Sequence, residues 1–329
     1  MPPRVQLGVN LNFAKYVYGP VRALEIVREE FGLRYAEIVA DNDFGPALYL
    51  RDPAAFRAYH RGVAQRAAEL GVSVPCVFTT YRDCGAIGWE QAEIRESAYH
   101  VGLSIIEQAA CYAAPNVGIS FFTLNVETAA VADKFRTGRA HGVEIWQRWM
   151  TDARKLGVER LLVEMAAARR EECSTLAETA AMLAELMSYH RTHPDTTVPV
   201  GLVYDTGHGI DVATSADDRD RDYHAWFETF ADSTYEVHLK DTDPEFLATW
   251  HFNESSAGII NIKEVITSLR DTLTVPSVLL NLEIPGKRGR AIGEERAIAE
   301  HQESLRWVTA ALEAADYRQD SADGAWVVA

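Results

Sequence analysis

The sequence predicts a single (β/α)8 barrel, and three observations predict it. Apolar runs of strand length alternate with amphipathic helical stretches along the whole chain, there are eight such pairs, and no Gly-x-Gly-x-x-Gly follows the first run. Strict alternation calls for parallel strands joined by helical crossovers, because parallel neighbours cannot be linked by hairpins. A chain of 329 residues accommodates one such barrel of about 250 residues with additions.

In order, the strand candidates are Val5–Asn10, Tyr35–Ala40, Val74–Thr79, Asn116–Phe122, Arg160–Met165, Val200–Asp205, Tyr235–Leu239 and Val278–Glu283. Each is a short β-branched or aliphatic run followed by a helical pattern: about Val21–Phe31, Pro53–Leu70, Gln91–Ala114, Gly142–Leu156, Thr175–Tyr189, Tyr223–Phe230, Ile262–Leu273 and Glu294–Ala315. The barrel is thus expected over residues 1–315, with 316–329 as a peripheral C-terminal tail. The longest connections, Thr206–Asp222 and Lys240–Ile260, follow strands six and seven and are expected over the barrel mouth.

Composition bounds the partners. With 47% hydrophobic and 24% charged residues the chain reads as an ordinary globular protein. No apolar run approaches the ~20 residues of a membrane helix, and Met-Pro-Pro-Arg is not followed by a signal-peptide core, so a cytoplasmic protein without a membrane partner is expected. The formal charge of −16 disfavours nucleic acid. Cys76, Cys84, Cys111 and Cys173 lack Cys-x-x-Cys spacing and read as reduced packing residues.

The chemistry lies at strand ends. Leu161-Leu162-Val163-Glu164, Gly201-Leu202-Val203-Tyr204-Asp205, Tyr235-Glu236-Val237-His238 and Val278-Leu279-Leu280-Asn281-Leu282-Glu283 each close on a metal-type side chain. In a barrel, strand C-termini converge on the catalytic mouth, so four in succession describe a divalent cation site. Three carboxylates and an imidazole without a thiolate suit Mn²⁺, Mg²⁺ or Co²⁺ better than structural zinc. His208, three residues after Asp205, is a candidate to contact substrate or a second ion. Further candidates are His251, to orient substrate hydroxyls, and Lys287, Arg288 and Arg290 after strand eight, to bind a substrate phosphate or carboxylate. Phe13, Tyr16, Tyr18, Phe44, Tyr81, Trp89 and Phe122 lie near predicted strand ends and are candidates for an apolar wall.

Together, Glu164, Asp205-Thr206-Gly207-His208, His238-Leu239-Lys240-Asp241, the turn at Gly258 and Leu282-Glu283-Ile284-Pro285 resemble the xylose-isomerase-like barrel superfamily. Leu7-Gly8-Val9-Asn10 resembles its first strand, and Glu37 the acid often found at strand two. The superfamily includes sugar and sugar-phosphate isomerases and epimerases, endonuclease IV and the larger subunits of C-glycoside deglycosidases. The resemblance implies metal ligands Glu164, Asp205, His238 and Glu283 and a substrate-contacting His208. In some epimerases the strand-seven ligand lies two residues later, where this chain has Lys240; a protonated lysine offers no lone pair, which favours His238 as ligand and leaves Lys240 as a substrate contact.

The reaction implied is metal-assisted proton abstraction next to a sugar carbonyl through an enediolate, with Glu164 and Glu283 as general base and acid. A sugar or sugar-phosphate isomerase or epimerase is the first reading. The alternative is the larger subunit of a C-glycoside deglycosidase, which eliminates the aglycone of a 3-keto glycoside and works with a small second subunit; otherwise a homo-oligomer is expected. A non-catalytic metal-binding barrel predicts drift of the ligands. An endonuclease IV-like nuclease needs histidines at the ends of strands two and three, where the chain has Val39-Ala40-Asp41-Asn42-Asp43 and Thr79-Thr80-Tyr81-Arg82-Asp83.

Overall fold

In the computed structural model the described residues are 1–15, 17–40, 45–79, 82–166, 170–208, 217–243, 249–254, 258–284 and 294–329. The strands are β1 (Arg4–Asn10), β2 (Tyr35–Val39), β3 (Ser73–Phe78), β4 (Asn116–Ser120), β5 (Arg160–Glu164), β6 (Val200–Asp205), β7 (Thr234–Leu239), β8 (Asp241–Thr242), β9 (Thr249–Trp250), β10 (Ser277–Leu282), β11 (Tyr317–Gln319) and β12 (Trp326–Val328). The helices are α1 (Pro20–Glu29), α2 (Gly45–Arg51), α3 (Pro53–Leu70), α4 (Ala92–Tyr112), α5 (Val126–Ala129), α6 (Ala132–Leu156), α7 (Leu176–Thr192), α8 (Tyr223–Thr229), α9 (Ile262–Thr272) and α10 (Glu294–Ala314). All eight expected barrel strands form. They belong to one parallel sheet that closes through β1 and β10, which is the (β/α)8 barrel.

The chain divides into two compact units. One comprises Met1–Ile38, Gln65–Ser73 and Val203–Ala329. There β1 pairs with β10 from Arg4↔Ser277 to Val9↔Leu282, β10 pairs with β7 from Leu279↔Glu236 to Leu282↔Leu239, and β1 pairs with β2 from Gly8↔Tyr35 to Asn10↔Glu37. Side chains alternate along a strand, so Glu236 and His238 share one face, as do Asn281 and Glu283, and Gly8 and Asn10. Aliphatic residues occupy the other face and pack under helices such as α9, whose Val265, Ile266 and Leu269 are buried. Asn261 caps α9 by accepting the Glu264 N–H, and Asp222 caps α8 by accepting the His224 N–H.

The second unit, Val39–Ala64 and Val74–Leu202, pairs β3 with β4 and β4 with β5, the latter from Asn116↔Arg160 to Ser120↔Glu164. Its core centres on Trp146 and Trp149 of α6, both fully buried, with Trp146 donating to the Phe121 carbonyl at 2.9 Å. Helix α6 begins ten residues before the expected start at Gly142. Its first turns, Ala-Asp-Lys-Phe-Arg-Thr-Gly-Arg-Ala-His, carry too few apolar residues to show a helical period.

The tail, expected as an appendage, folds as an antiparallel hairpin. Trp326 pairs with Val5 of β1, Tyr317 is fully buried with its hydroxyl donating to the Pro3 carbonyl at 3.3 Å, and Arg4 pairs with Asp320 at 3.2 Å. Among the described residues no helix is long and apolar enough to cross a membrane.

Candidate metal centre

Asp205 ends β6 and is fully buried. Its Oδ1 accepts the Gly207 N–H at 2.7 Å and the His208 N–H at 3.0 Å, a local turn that the sequence Asp-Thr-Gly-His encodes. Thr206 ties this turn to β7: its hydroxyl donates to the Lys240 carbonyl at 2.7 Å and accepts the Lys240 N–H at 3.0 Å. Oδ2 is thereby freed to face inward. It meets the Lys240 ammonium at 2.6 Å and lies 4.0 Å from Nδ1 of His238 and 4.0 Å from Nε2 of His208.

Glu283 directly follows β10, where its N–H donates to the Leu239 carbonyl at 3.0 Å. Its Oε2 is 3.1 Å from the Lys240 ammonium and 3.6 Å from Nδ1 of His238. One ligand-type atom from each of Asp205, His238 and Glu283 therefore lies within 4.8 Å of the other two, all three residues being buried. Burial pushes the Asp205 carboxyl up, but His208, Lys240 and His238 outweigh it and hold the group well below the usual carboxylate range, so it is ionised. Glu164 ends β5 in the other unit and is buried.

Two carboxylates and an imidazole are a hard, oxygen-rich donor set, and Asp205 Oδ2 and Glu283 Oε2 already gather around a cation, the Lys240 ammonium. The residues fit a divalent ion. Lys240 is the departure: its ammonium shares both carboxylates and must yield them along its flexible stem for an ion to use them in full.

His238 is completely buried, and its other nitrogen faces a second tier of polar groups. Nε2 lies 3.1 Å from Oε2 of Glu37 and 3.4 Å from Oε1 of Glu236. Asn10 donates to Glu37 at 2.5 Å, and Asn281 donates to Glu236. Burial, with Glu236 close by, pushes the Glu37 carboxyl well up. Reading strand ends alone misses Glu236 and Asn281, and gives Asn10, the last residue of β1, no partner. The signal was alternation, since Glu236 precedes His238 by two residues and Asn281 precedes Glu283 by two, each polar within an apolar run.

Of the other sequence candidates, His208 is part-buried beside Asp205. The partners of His251 are Asn253 at 3.0 Å and two residues of α10, Glu303 at 3.5 Å and Glu300 at 4.0 Å, none of them in the cluster. Lys287, Arg288 and Arg290, with Tyr16, Phe44 and Tyr81, lie outside the described residues. Phe13 packs against Phe31 and His301, Trp89 donates to the Thr123 carbonyl at 3.1 Å, and Phe122 is buried. Asp241 has a role that the sequence did not suggest. It accepts the N–H groups of Thr242 at 2.9 Å and Ile260 at 3.0 Å, clamping the return of the long connection after β7.

The model of the xylose isomerase-like TIM barrel family matches residues 26–311. The chain belongs to that family. No curated protein matches the sequence of this xylose isomerase-like barrel. Among solved structures, a presumed xylose isomerase from Rhodospirillum rubrum is 20% identical with a TM-score of 0.80, covering 93% of this chain and 99% of its own. D-psicose 3-epimerase with D-tagatose from Clostridium cellulolyticum H10 is 13% identical with a TM-score of 0.67, covering 93% and 99%. The 3-keto-D-glucoside 4-epimerase of E. coli is 16% identical with a TM-score of 0.64, also covering 93% and 99%. At these identities the likeness shows a shared fold.

Proposed function

We propose that this chain is a divalent-metal-dependent sugar isomerase or epimerase that works by proton abstraction next to a carbonyl. The observation that carries the reading is the buried cluster of Asp205, His238 and Glu283, with ionised Asp205 turning one carboxylate oxygen inward. These three would hold the ion, with Glu164 from the end of β5 as the fourth ligand, and the donor set suits Mn²⁺ first, with Mg²⁺ or Co²⁺ as alternatives. When bound, the ion supplies Lewis acidity that makes the C–H beside a sugar carbonyl more acidic.

The chain's own residues do the rest. Glu164 and Glu283 are the two candidates for taking the α proton and returning it; return to the opposite face of the same carbon inverts it, and return to the neighbouring carbon moves the carbonyl. Lys240, displaced along its stem from the two carboxylates, keeps a positive charge at the site, where it stabilises an oxyanion developing on the substrate. His208, next to Asp205, is placed to donate to a substrate hydroxyl. Family membership and the likeness to D-psicose 3-epimerase support sugar chemistry.

The likeness to a 3-keto-D-glucoside 4-epimerase supports a second substrate class, a keto glycoside. There the same proton abstraction ends either in epimerisation or, as in C-glycoside deglycosidases, in loss of the aglycone with help from a small partner subunit.

The test is product formation from a panel of ketoses, ketose phosphates and a 3-keto glycoside by chelator-stripped protein resupplied with Mn²⁺. Glu164→Gln and Glu283→Gln should each lower turnover by about 10²-fold or more. Full turnover in both variants would remove them from the mechanism.

A further inference from the structure

We propose that Glu37 and Glu236, one tier below the metal centre, are positioning residues that fix the tautomer and ring orientation of His238. The inference rests on the metal-centre reading above and deepens it.

The hydrogen bonds around Nε2 favour one tautomer. Oδ1 of Asn10 accepts the Asn12 N–H at 2.9 Å, which turns the Asn10 amide group toward Glu37, where it donates to Oε2 at 2.5 Å. The same Oε2 stands 3.1 Å from Nε2 of His238. With Oε2 already taking the Asn10 amide, a ring N–H on Nε2 completes the arrangement and turns the Nδ1 lone pair toward the metal centre, and this is the tautomer the proposal assigns. Nδ1 is the nitrogen that faces Glu283 at 3.6 Å and Asp205 at 4.0 Å. Glu236 repeats the arrangement from β7 itself: its Oε1 lies 3.4 Å from Nε2 and accepts the Asn281 amide.

The backbone makes room for this tier. A methyl group at Gly8 would come within 2.6 Å of the Asn281 Oδ1 and 3.0 Å of the Tyr35 carbonyl, so only glycine lets β1 approach the Asn281 amide. Barrel interiors are ordinarily filled by branched aliphatics. Here Asn10, Glu37, Glu236 and Asn281 are all fully buried. Burying four such polar groups is costly, and the imidazole between them is the one member that reaches the metal centre.

Carboxylates behind a ligating histidine ordinarily contribute about 10- to 100-fold in metal affinity. The test is calorimetric titration of Mn²⁺ into chelator-stripped wild type, Glu37→Ala, Glu37→Gln and Glu37→Ala/Glu236→Ala. Alongside it, ¹⁵N–¹H NMR of Zn²⁺-loaded wild type reads which His238 nitrogen carries the proton. The inference expects a proton on Nε2, an affinity about 10- to 100-fold weaker in Glu37→Ala, and an affinity within about threefold in Glu37→Gln, whose carbonyl still accepts from the ring. A merely structural role would lower the melting temperature and leave Mn²⁺ affinity in place. A proton on Nδ1, or wild-type affinity in the folded double variant, would overturn the inference and leave the metal centre standing. Wild type that binds no Mn²⁺ would overturn the metal-centre reading and this inference with it. Should Glu37→Ala not fold, Glu37→Gln and the wild-type spectrum decide.

Discussion

The Lys240 ammonium stands 2.6 Å from Oδ2 of Asp205, inside the ring of groups that would hold a divalent ion. The chain thus carries its own cation at the carboxylate that the ion needs most. Like charges repel strongly at such separations in a buried site. Lys240→Met should therefore bind Mn²⁺ more tightly, by about tenfold, in calorimetric titration. Unchanged or weaker binding would mean that Lys240 does not compete.

Asp205 divides its labour between its two oxygens, since Oδ1 holds the turn at Gly207 and His208 while Oδ2 faces the cluster. Asp205→Asn keeps an acceptor for the turn and removes the charge. The variant should fold with native circular dichroism, yet bind Mn²⁺ at least about 100-fold more weakly. Near-native Mn²⁺ affinity would show that another group replaces it.

The strand-end side chains were legible in the sequence because each breaks an apolar run, which one strand at a time reveals. The tier beneath them was hidden from that reading. Asn281 and Glu236 sit within runs, and their meaning depends on neighbours that only the register brings together, as in Asn281↔His238 and Asn10↔Glu37. Lys240 was legible as a residue that cannot ligate a metal, but its place between two carboxylates depends on side-chain reach. The terminal hairpin escaped notice because strands of three residues have too few alternations to register a period.

His301 supplies a pH dependence. It lies buried between Phe13 and Phe31, and burial pushes its pKa down from 6.5 to about 4. The unfolded chain takes up a proton between those values that the folded chain refuses. This group's contribution is therefore full above pH 6.5 and is lost as pH falls toward 4, by at most about 3 kcal/mol. In urea titrations at pH 7 and pH 4.5, His301→Phe should lose clearly less stability on acidification than wild type. An equal loss would assign the acid sensitivity elsewhere.

Gly258 sits against the Asp241 carboxylate so closely that a methyl group there would overlap it. Gly258→Ala should cost about 2 kcal/mol in urea denaturation, by displacing the group that holds the Thr242 and Ile260 N–H donors. In the Asp241→Ala background the same change should cost much less. Additive costs would separate the two residues.

The central claim is a metal-dependent proton abstraction, and the most direct measurement is proton NMR in D₂O. Each ketose, ketose phosphate and 3-keto glycoside is incubated with chelator-stripped protein, with and without restored Mn²⁺. The account predicts that at least one substrate loses the proton next to its carbonyl only when Mn²⁺ is present, and not with Asp205→Asn. Exchange that proceeds equally well in the stripped protein, or in Asp205→Asn, would contradict it.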